Sequence, residues 1–260
     1  MAYLHSEQSF HPEELNLPVI GLASDLVQHD SGFHQHDEHQ QLLYAPSGCM
    51  TLLTEDTQVI LPPTRMLIIP AGLSHRVFFR NVVAYRSIYF TADEKIWNAD
   101  SIKVLEVNPL LEQLIERICF WEWKAYTKEQ LALVKVFSNE LKAANVEDYH
   151  LKIPKDNRLI NTINQFIIDK RVPPFLKELT QEVGASEKTI SRVFKKETGM
   201  VYQDWRLQWK YYRSLELLAE SMPIALVADE LEFSSDSAFI EFFKKHSGKT
   251  PHKYLTHIPH

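Results

Sequence analysis

The sequence predicts an α+β protein of two domains, in which a β-rich N-terminal domain precedes an all-α C-terminal domain. Three observations predict this. Short apolar runs alternate with turn-forming residues between positions 18 and 90, apolar residues then recur at helical spacing, and one helical segment occurs twice near the C-terminus. The chain has 260 residues, enough for two domains of ordinary size. A polar stretch without periodicity at 144–156 predicts the linker, so we place the domains at 1–150 and 151–260.

Seven short runs predict the strands of the N-terminal domain. Pro, Gly, Ser, Asn and Asp residues separate them, as expected for turns between antiparallel strands. The runs lie at 19–20, 41–44, 50–53, 58–61, 66–69, 76–79 and 86–90. Strands this short and this closely spaced favour a sandwich or a small barrel.

Two amphipathic helices are predicted after the strands. Pro109 suits the first turn of one helix, and an apolar stripe follows it as far as Ile118. The other helix begins near Thr127 and has an apolar stripe from Leu131 to Leu141. Each stripe indicates one buried face, either against the β-rich domain or against a second copy of the chain in a homodimer.

Composition and charge limit the class of protein. No apolar run reaches the length of a membrane span, and residues 1–7 lack the basic-then-apolar pattern of a signal peptide. Cys49 and Cys119 are too few for a disulfide framework, so we expect a cytoplasmic protein without a membrane partner. The net charge of −6 is uneven: residues 151–260 carry 17 Lys and Arg against 14 Asp and Glu, whereas the remainder carries 11 against 20. A mildly basic end on an acidic body is typical of a DNA-binding domain joined to another module.

The histidines of the N-terminal domain lie in two spaced motifs. The first comprises His34, His36, Gln41 and Gly48, and the second comprises Pro70, Gly72 and His75. This spacing resembles the two motifs of the cupin barrel, and residues 30–90 resemble the cupin-type sensor domain of an AraC-family subgroup. The resemblance implies a jelly-roll β-barrel with a ligand pocket lined by His34, His36, Gln41 and His75.

The same four side chains are candidate metal ligands. Three imidazoles and one polar group can hold a divalent cation and leave a position open. Residues two apart in a strand face the same side, so we expect His34 and His36 to point inward together. Gln41 stands where the cupin motif has Glu, and Gln28 and Thr64 stand where each motif opens with Gly. Two readings of the cofactor stay open, a divalent metal or histidines that only line the pocket.

The duplicated segment covers 186–199 and 235–248, which align with a shift of 49 residues. Each copy opens with a Ser suited to an N-cap, carries an apolar seam at i, i+4, and closes with a Lys-Lys pair and a Gly. Apolar runs at 175–183 and 224–231 predict a supporting helix before each copy, which makes two helix-turn-helix units. A predicted helix at 202–221 joins them. At 1.5 Å per residue it spans about 30 Å, close to the roughly 34 Å between successive major-groove faces.

This C-terminal segment resembles the AraC/XylS-type DNA-binding domain. The matching residues are Ser186, 190–195, Gly199, 217–218, Ile224, 233–235, Ser237, Phe239, 242–244, Gly248 and 250–251. The resemblance implies binding of double-stranded DNA, with Ile190, Phe194, Phe239 and Phe243 facing the core. The residues expected to bind DNA are Ser186, Lys188, Thr189, Ser191, Arg192, Lys195 and Lys196 in the first unit, and Ser235, Asp236, Ser237, Ile240 and Lys244 in the second.

Two residues of the second unit depart from that pattern. Glu241 stands where the family has Arg, and its carboxylate would repel DNA phosphates. Glu232 stands in the turn where the family has Gly, a position that a residue with a side chain occupies at a cost if φ is positive. We therefore predict that the second unit binds DNA more weakly than the first.

The sequence thus predicts a cytoplasmic, homodimeric transcription regulator of the AraC type rather than an enzyme, in which a small-molecule effector in the cupin pocket biases DNA binding. One alternative is a metal-dependent cupin enzyme with an accessory DNA-binding tail, which metal analysis and turnover assays would detect. The other is a DNA-binding protein whose barrel only dimerises, which thermal shifts against a metabolite panel would distinguish.

Overall fold

The structure is a computed structural model that describes residues 10–79, 83–91, 96–97, 99–147 and 149–255. Residues 1–7, considered above for a signal peptide, lie outside the described part. The described residues form two compact units, the first made of 10–52 and 61–149 and the second of 53–60 and 150–255. Segment 53–60, which the sequence assigns to the N-terminal domain, therefore clusters with the second unit. The fold class is α+β, with β-sheet in the N-terminal region and helices in the C-terminal region.

Eleven strands occur in the described residues. They are β1 (Val19–Leu26), β2 (His29–Asp30), β3 (His39–Tyr44), β4 (Met50–Leu53), β5 (Thr57–Leu61), β6 (Arg65–Ile69), β7 (Arg76–Phe79), β8 (Val83–Thr91), β9 (Lys103–Glu106), β10 (Val146–Glu147) and β11 (Leu151–Lys152). One antiparallel sheet of the first unit has the order β1-β8-β3-β6-β9-β10, and β4, β7 and β2 are neighbours in another. In the second unit β5 pairs antiparallel with β11.

Two helices cover the six-stranded sheet. These are α1 (Pro109–Cys119) and α2 (Lys128–Ala143), which begin at the predicted residues. Asn108 caps α1 by accepting from the backbone N–H of Leu111 at 2.8 Å, and Thr127 forms a capping box with Gln130 at α2. Most of each apolar stripe packs on the sheet and forms one core with it, but Leu131, at the start of the predicted α2 stripe, is exposed.

The first unit differs from the sequence prediction at its short strands. All seven predicted runs lie in strands, but β2, β9, β10 and β11 were not predicted. The division between the two units at 149/150 lies within the predicted linker at 144–156, which also contains two unpredicted strands, β10 paired with β9 and β11 paired with β5. Strands β2, β10 and β11 have two residues each, too few to show an alternating pattern in the sequence.

The second unit contains seven described helices. They are α3 (Ile160–Asp169), α4 (Leu176–Val183), α5 (Glu187–Thr198), α6 (Tyr202–Ala219), α7 (Ile224–Glu230), α8 (Asp236–Ser247) and α9 (Pro251–Leu255). Helix α6 ends two residues before its predicted end, because Ser221 has a φ of 59°. Its 18 residues span about 27 Å.

An aromatic core surrounds α6. Phe194 of α5 lies 5.3 Å from Trp205 between ring centroids, and Phe243 of α8 lies 5.7 Å from Tyr211. Phe194, Trp205 and Phe243 are fully buried. Helix α6 therefore forms the common core of both helix-turn-helix units. Of the described helices, no helix combines the length and the apolarity that a membrane crossing demands.

Candidate functional sites

The first helix-turn-helix unit consists of α4 and α5. Gly184 ends α4 with a φ of 65°, a left-handed conformation that glycine adopts without cost. The Ser186 hydroxyl then accepts from the backbone N–H of Thr189 at 3.3 Å and caps α5. The turn and the cap together set the direction of α5 relative to α4.

Helix α5 has one buried and one exposed face. Ile190 and Phe194 are fully buried, as expected for the seam. Of the residues expected to bind DNA, Ser186, Lys188, Arg192, Lys195 and Lys196 are exposed, and Thr189 and Ser191 are partly exposed. Lys195 donates from Nζ to the carbonyl of Gly199 at 2.9 Å, so it also caps the end of α5.

The second unit repeats this arrangement in α7 and α8. The Ser235 hydroxyl accepts from the backbone N–H of Ala238 at 3.2 Å, and Phe239 and Phe243 are fully buried. Ser235, Asp236, Ser237 and Lys244 are exposed and Ile240 is partly exposed. Glu241 is exposed on the same helix, so α8 presents acidic groups beside its basic last turn.

The turn of the second unit has the strained backbone that the sequence pointed to. Glu232 has a φ of 54°, where Gly184 stands in the first unit. A left-handed conformation costs a residue with a side chain roughly 1–2 kcal/mol. The Glu232 carboxylate contacts Arg206 of α6, with 2.9 Å between Oε2 and Nη2. The residue that has the unfavourable backbone conformation therefore also forms an ion pair with Arg206.

The histidines of the N-terminal compact unit, residues 10–52 and 61–149, converge. The candidate ligand atoms of His34, His36 and His75 lie within 4.8 Å of one another. The expected reason is wrong, because His34 and His36 lie in the loop between β2 and β3 and not in a strand. Instead, an isolated bridge joins His34 to His75, with backbone N–O distances of 2.9 and 2.8 Å.

Each imidazole of this cluster has its Nδ1 atom against an acceptor. The acceptors are the carbonyl of Gly32 for His34 at 3.1 Å, Oε1 of Glu13 for His36 at 3.1 Å, and the carbonyl of Leu73 for His75 at 2.7 Å. An oxygen that only accepts requires a proton on Nδ1, which leaves a lone pair on each Nε2. Nε2 of His36 is buried without a hydrogen-bond partner in the described residues.

Gln41 joins the cluster from β3. Its Oε1 lies 3.1 Å from Nε2 of His75, and its Nε2 lies 2.9 Å from the Tyr89 hydroxyl and 3.1 Å from the Ser87 hydroxyl. Sequence reasoning missed Ser87 and Tyr89, together with Tyr85, which lies 3.3 Å from the same amide nitrogen. Their spacing of two residues along β8 places all three on one face, a signal that could have revealed them.

Burial keeps His36, His75 and Tyr89 neutral near pH 7. Burial lowers the pKa of His36, and it lowers the pKa of His75 to about 4. Burial also raises the pKa of Tyr89 to about 12. Glu13 is the exception: burial opposes its ionisation, but hydrogen bonds from the backbone and from His36 hold its pKa below the usual value. The site thus places the neutral side chains of His36, His75 and Tyr89 near one carboxylate, that of Glu13.

A cavity of about 510 Å³ opens beside the cluster. Apolar and aromatic side chains such as Phe10, Leu22 and Tyr85 line it along with the histidines. Glu13 and Asp37 bring carboxylates to the described lining, which contains no Lys or Arg. Its size falls in the range of small-molecule sites.

The family described as "Helix-turn-helix domain" matches residues 179–257. The HTH-type transcriptional regulator NimR of Escherichia coli (strain K12) is 27% identical over 237 residues, which cover 88% of this chain and 83% of NimR. The probable transcriptional regulator LumQ of Photobacterium leiognathi is 24% identical over 236 residues, which cover 85% and 91%.

Among solved structures, ToxT from Vibrio cholerae aligns with 94% of this chain and 100% of its own, with 11% identity and a TM-score of 0.39. The family match shows a helix-turn-helix domain at residues 179–257, and over most of its length the chain is similar to proteins named as transcription regulators.

Proposed function

We propose that this protein is a ligand-responsive transcription regulator that reads duplex DNA with α5 and α8 and binds a small effector in a cupin-type first unit. The observation that carries the DNA-binding part is the pair of Ser-capped helices whose Phe seams pack on one helix, α6. Their exposed faces are free of that packing.

In this proposal the two ends of α5 have different tasks. Lys188, Thr189 and Arg192 contact base edges, because Arg and Lys match guanine O6 and N7 and Thr adapts to several bases. Lys195 and Lys196, and Lys244 of α8, contact phosphates. In vitro selection of bound duplexes, followed by footprinting of the full chain, tests this directly. Two protected half-sites on one face of the duplex are expected, and uniform protection without sequence preference would refute the proposal.

The effector site is the cavity of the first unit. Because its described lining carries the carboxyl groups of Glu13 and Asp37 and no Lys or Arg, a neutral or cationic molecule fits better than an anionic one. A ligand present at 100 times its Kd stabilises the folded state by about 2.7 kcal/mol, which thermal unfolding detects. Matched panels of amines, neutral heterocycles and carboxylates test this. The variant Leu26→Phe, which adds bulk to the lining, should lose the shift.

A first unit that only dimerises would show no ligand-dependent shift with any panel. A shift that depends on ligand and that Leu26→Phe abolishes would contradict that alternative. Leu26 is a good position for the variant because it lines the cavity and lies outside the histidine cluster.

We further propose that the histidine cluster can hold a divalent cation. Its residues fit one, because one ring nitrogen from each of the three histidines lies within 4.8 Å of the others and Nε2 of His36 lacks a partner in the described residues. Glu13 behind His36 resembles the carboxylates that commonly orient metal-bound histidines. Two acceptors, Oε1 of Gln41 and Nε2 of His75, also face each other at 3.1 Å. A reversed Gln41 amide would instead donate to His75 and occupy its lone pair.

Elemental analysis of the protein purified without chelator tests whether the cluster holds a cation. One equivalent of metal, lost in His36→Ala, is expected if the cluster holds a cation. Gln41→Glu should tighten binding, because it restores a negative charge among neutral ligands. Absence of metal in both the natural chain and Gln41→Glu would refute the site.

A homodimer is the remaining part of the proposal. Leu110, Leu131 and Val136 of α1 and α2 are exposed apolar side chains on the helical layer of the first unit. Light scattering of Leu131→Glu tests whether this layer is the interface. Val27→Glu is the matched control, because Val27 is 70% exposed elsewhere in the same unit. A dimer that Leu131→Glu leaves intact would contradict the interface.

A further inference from the structure

Arg206 of α6 contacts both helix-turn-helix units. Its Nε atom donates to the carbonyl of Pro173, and its guanidinium carbon lies 4.3 Å from the ring centroid of Phe175, immediately before α4. Its Nη2 atom donates to Oε2 of Glu232 at 2.9 Å, in the turn between α7 and α8. Arg206 is only 2% exposed. Its guanidinium is therefore a buried connection between the loop before α4 and the turn between α7 and α8.

From these contacts we propose that Arg206 and Glu232 are positioning residues that couple the two helix-turn-helix units, so that α8 keeps a fixed place relative to α5. The proposal rests on DNA binding by both helices. It assigns Glu232 a purpose in DNA binding without a contact to DNA.

The backbone conformation at Glu232 indicates that its carboxylate has a role. The N–H of Phe233 donates to the carbonyl of Ala228 at 2.8 Å, and the N–H of Glu232 donates to the carbonyl of Asp229 at 2.9 Å. These two bonds are a Schellman motif, in which Glu232 occupies the left-handed position that usually holds glycine. A glycine would satisfy the backbone better, so the side chain of Glu232 is retained against a conformational cost.

The buried cations supply the reason. Arg206 is buried, and Nζ of Lys210, one helical turn further along α6, lies 3.9 Å from the same Glu232 oxygen and 4.9 Å from the ring centroid of Phe233. A buried charge that loses its partner destabilises the fold strongly. The Glu232 carboxylate, which is 58% exposed, neutralises two buried cations from the rim of the turn.

Ser221 provides a matched control within the same unit. The N–H of Met222 donates to the carbonyl of Leu217 at 3.0 Å and that of Ser221 to Leu218 at 2.9 Å, so Ser221 holds the same motif position at the end of α6. Its φ of 59° is close to the 54° of Glu232. Ser221→Gly thus relieves the same backbone strain without removing a carboxylate.

The test compares Ser221→Gly, Glu232→Gly, Glu232→Gln and Arg206→Met in the full chain. Each variant is titrated with the selected duplex carrying both half-sites and with the same duplex in which the second half-site is scrambled. Ser221→Gly should leave both affinities unchanged. Glu232→Gly and Glu232→Gln should weaken binding to the two-site duplex by about tenfold, a coupling of roughly 1.4 kcal/mol, and leave binding to the one-site duplex unchanged.

A double-mutant cycle completes the test. If the residues act as a pair, Glu232→Gly on top of Arg206→Met should cause no further loss on the two-site duplex. Glu232→Gly that behaves like Ser221→Gly, or equal losses on both duplexes, would overturn the proposal. If the natural chain selects no duplex, the DNA-binding proposal fails instead. Urea unfolding still separates the two glycine variants in that case, with Ser221→Gly expected to raise the midpoint and Glu232→Gly to lower it.

Discussion

Gly21 of β1 gives the sharpest stability prediction, because it lies against the backbone of α1. A Cβ atom built on Gly21 would lie 2.1 Å from the carbonyl oxygen and 2.6 Å from the carbonyl carbon of Ile118. It would also lie 2.7 Å from Cα of Cys119. Ordinary van der Waals contact begins at 3.4 Å, so Gly21→Ala must push the carbonyl away from 2.1 Å to at least that distance.

The cost follows from what α1 holds in place. Overpacking a well-filled core usually costs about 1–3 kcal/mol. Here the obstacle is backbone, and moving α1 also strains the ion pair between Arg86 and Glu116, whose nearest atoms lie 2.9 Å apart. The Trp123 indole, which donates to the Gly21 carbonyl at 2.8 Å, is disturbed as well. We therefore expect a loss of about 3 kcal/mol, which lowers Tm by roughly 6–12 °C in a domain of this size.

Thermal unfolding of Gly21→Ala beside Gly72→Ala measures this effect. Gly72 has a φ of 74° and no atom within 4 Å of its virtual Cβ, so its substitution strains only the local backbone by about 1 kcal/mol. Because Leu22 and Ser24 of the same strand line the cavity, Gly21→Ala should also reduce the ligand-dependent thermal shift. Equal loss of stability in the two variants would refute the packing argument.

Three further predictions concern DNA binding by the helices α5 and α8 and the stability of the helical unit that contains them. Arg192→Ala should weaken binding to the selected duplex by about tenfold or more, and Ser237→Ala by much less; equal losses in a mobility-shift titration would contradict the assigned roles. Glu241→Arg should tighten binding and steepen the slope of log K against log salt by about one unit, whereas unchanged or weaker binding would count against repulsion by the carboxylate. Burial, followed by repulsion from Arg206, lowers the pKa of Lys210 to about 8, while the unfolded chain keeps the usual value near 10.5. The free energy of unfolding should therefore rise between pH 8 and pH 10, on the order of 2 kcal/mol, and Lys210→Met should lack that rise in urea titrations.

Local signals made the helical unit predictable from sequence. Ser186 and Ser235 predict two N-caps. Phe194 and Phe243 belong to apolar seams with the spacing typical of a helix. The strands of the first unit were predictable where short apolar runs lie between turn-forming residues. Strands β10 and β11 were not, because their two-residue ladders depend on partners far away in the sequence.

The candidate pocket was predictable in its residues but not in its connections. The motif spacing gave His34, His36 and His75, which do converge. The acceptors behind them are carbonyls of Gly32 and Leu73, and a carbonyl carries no signature in a sequence. The contact of Arg206 with Glu232, 26 residues away, was hidden for a related reason. Sequence reasoning registers Glu232 as a departure from glycine, and only the fold supplies the cation that explains it.

The two departures of the second unit therefore have different physical meanings. Glu232 acts on the protein side, because its carboxylate is matched by Arg206 and Lys210 and so restores what the left-handed backbone costs. Glu241 is exposed on α8 and would face the DNA phosphates, so its effect should depend on salt while that of Glu232 should not. A weak second reader, if found, should thus be traced to Glu241. The turn at Glu232 would then be the part that keeps even a weak α8 in register with the stronger α5.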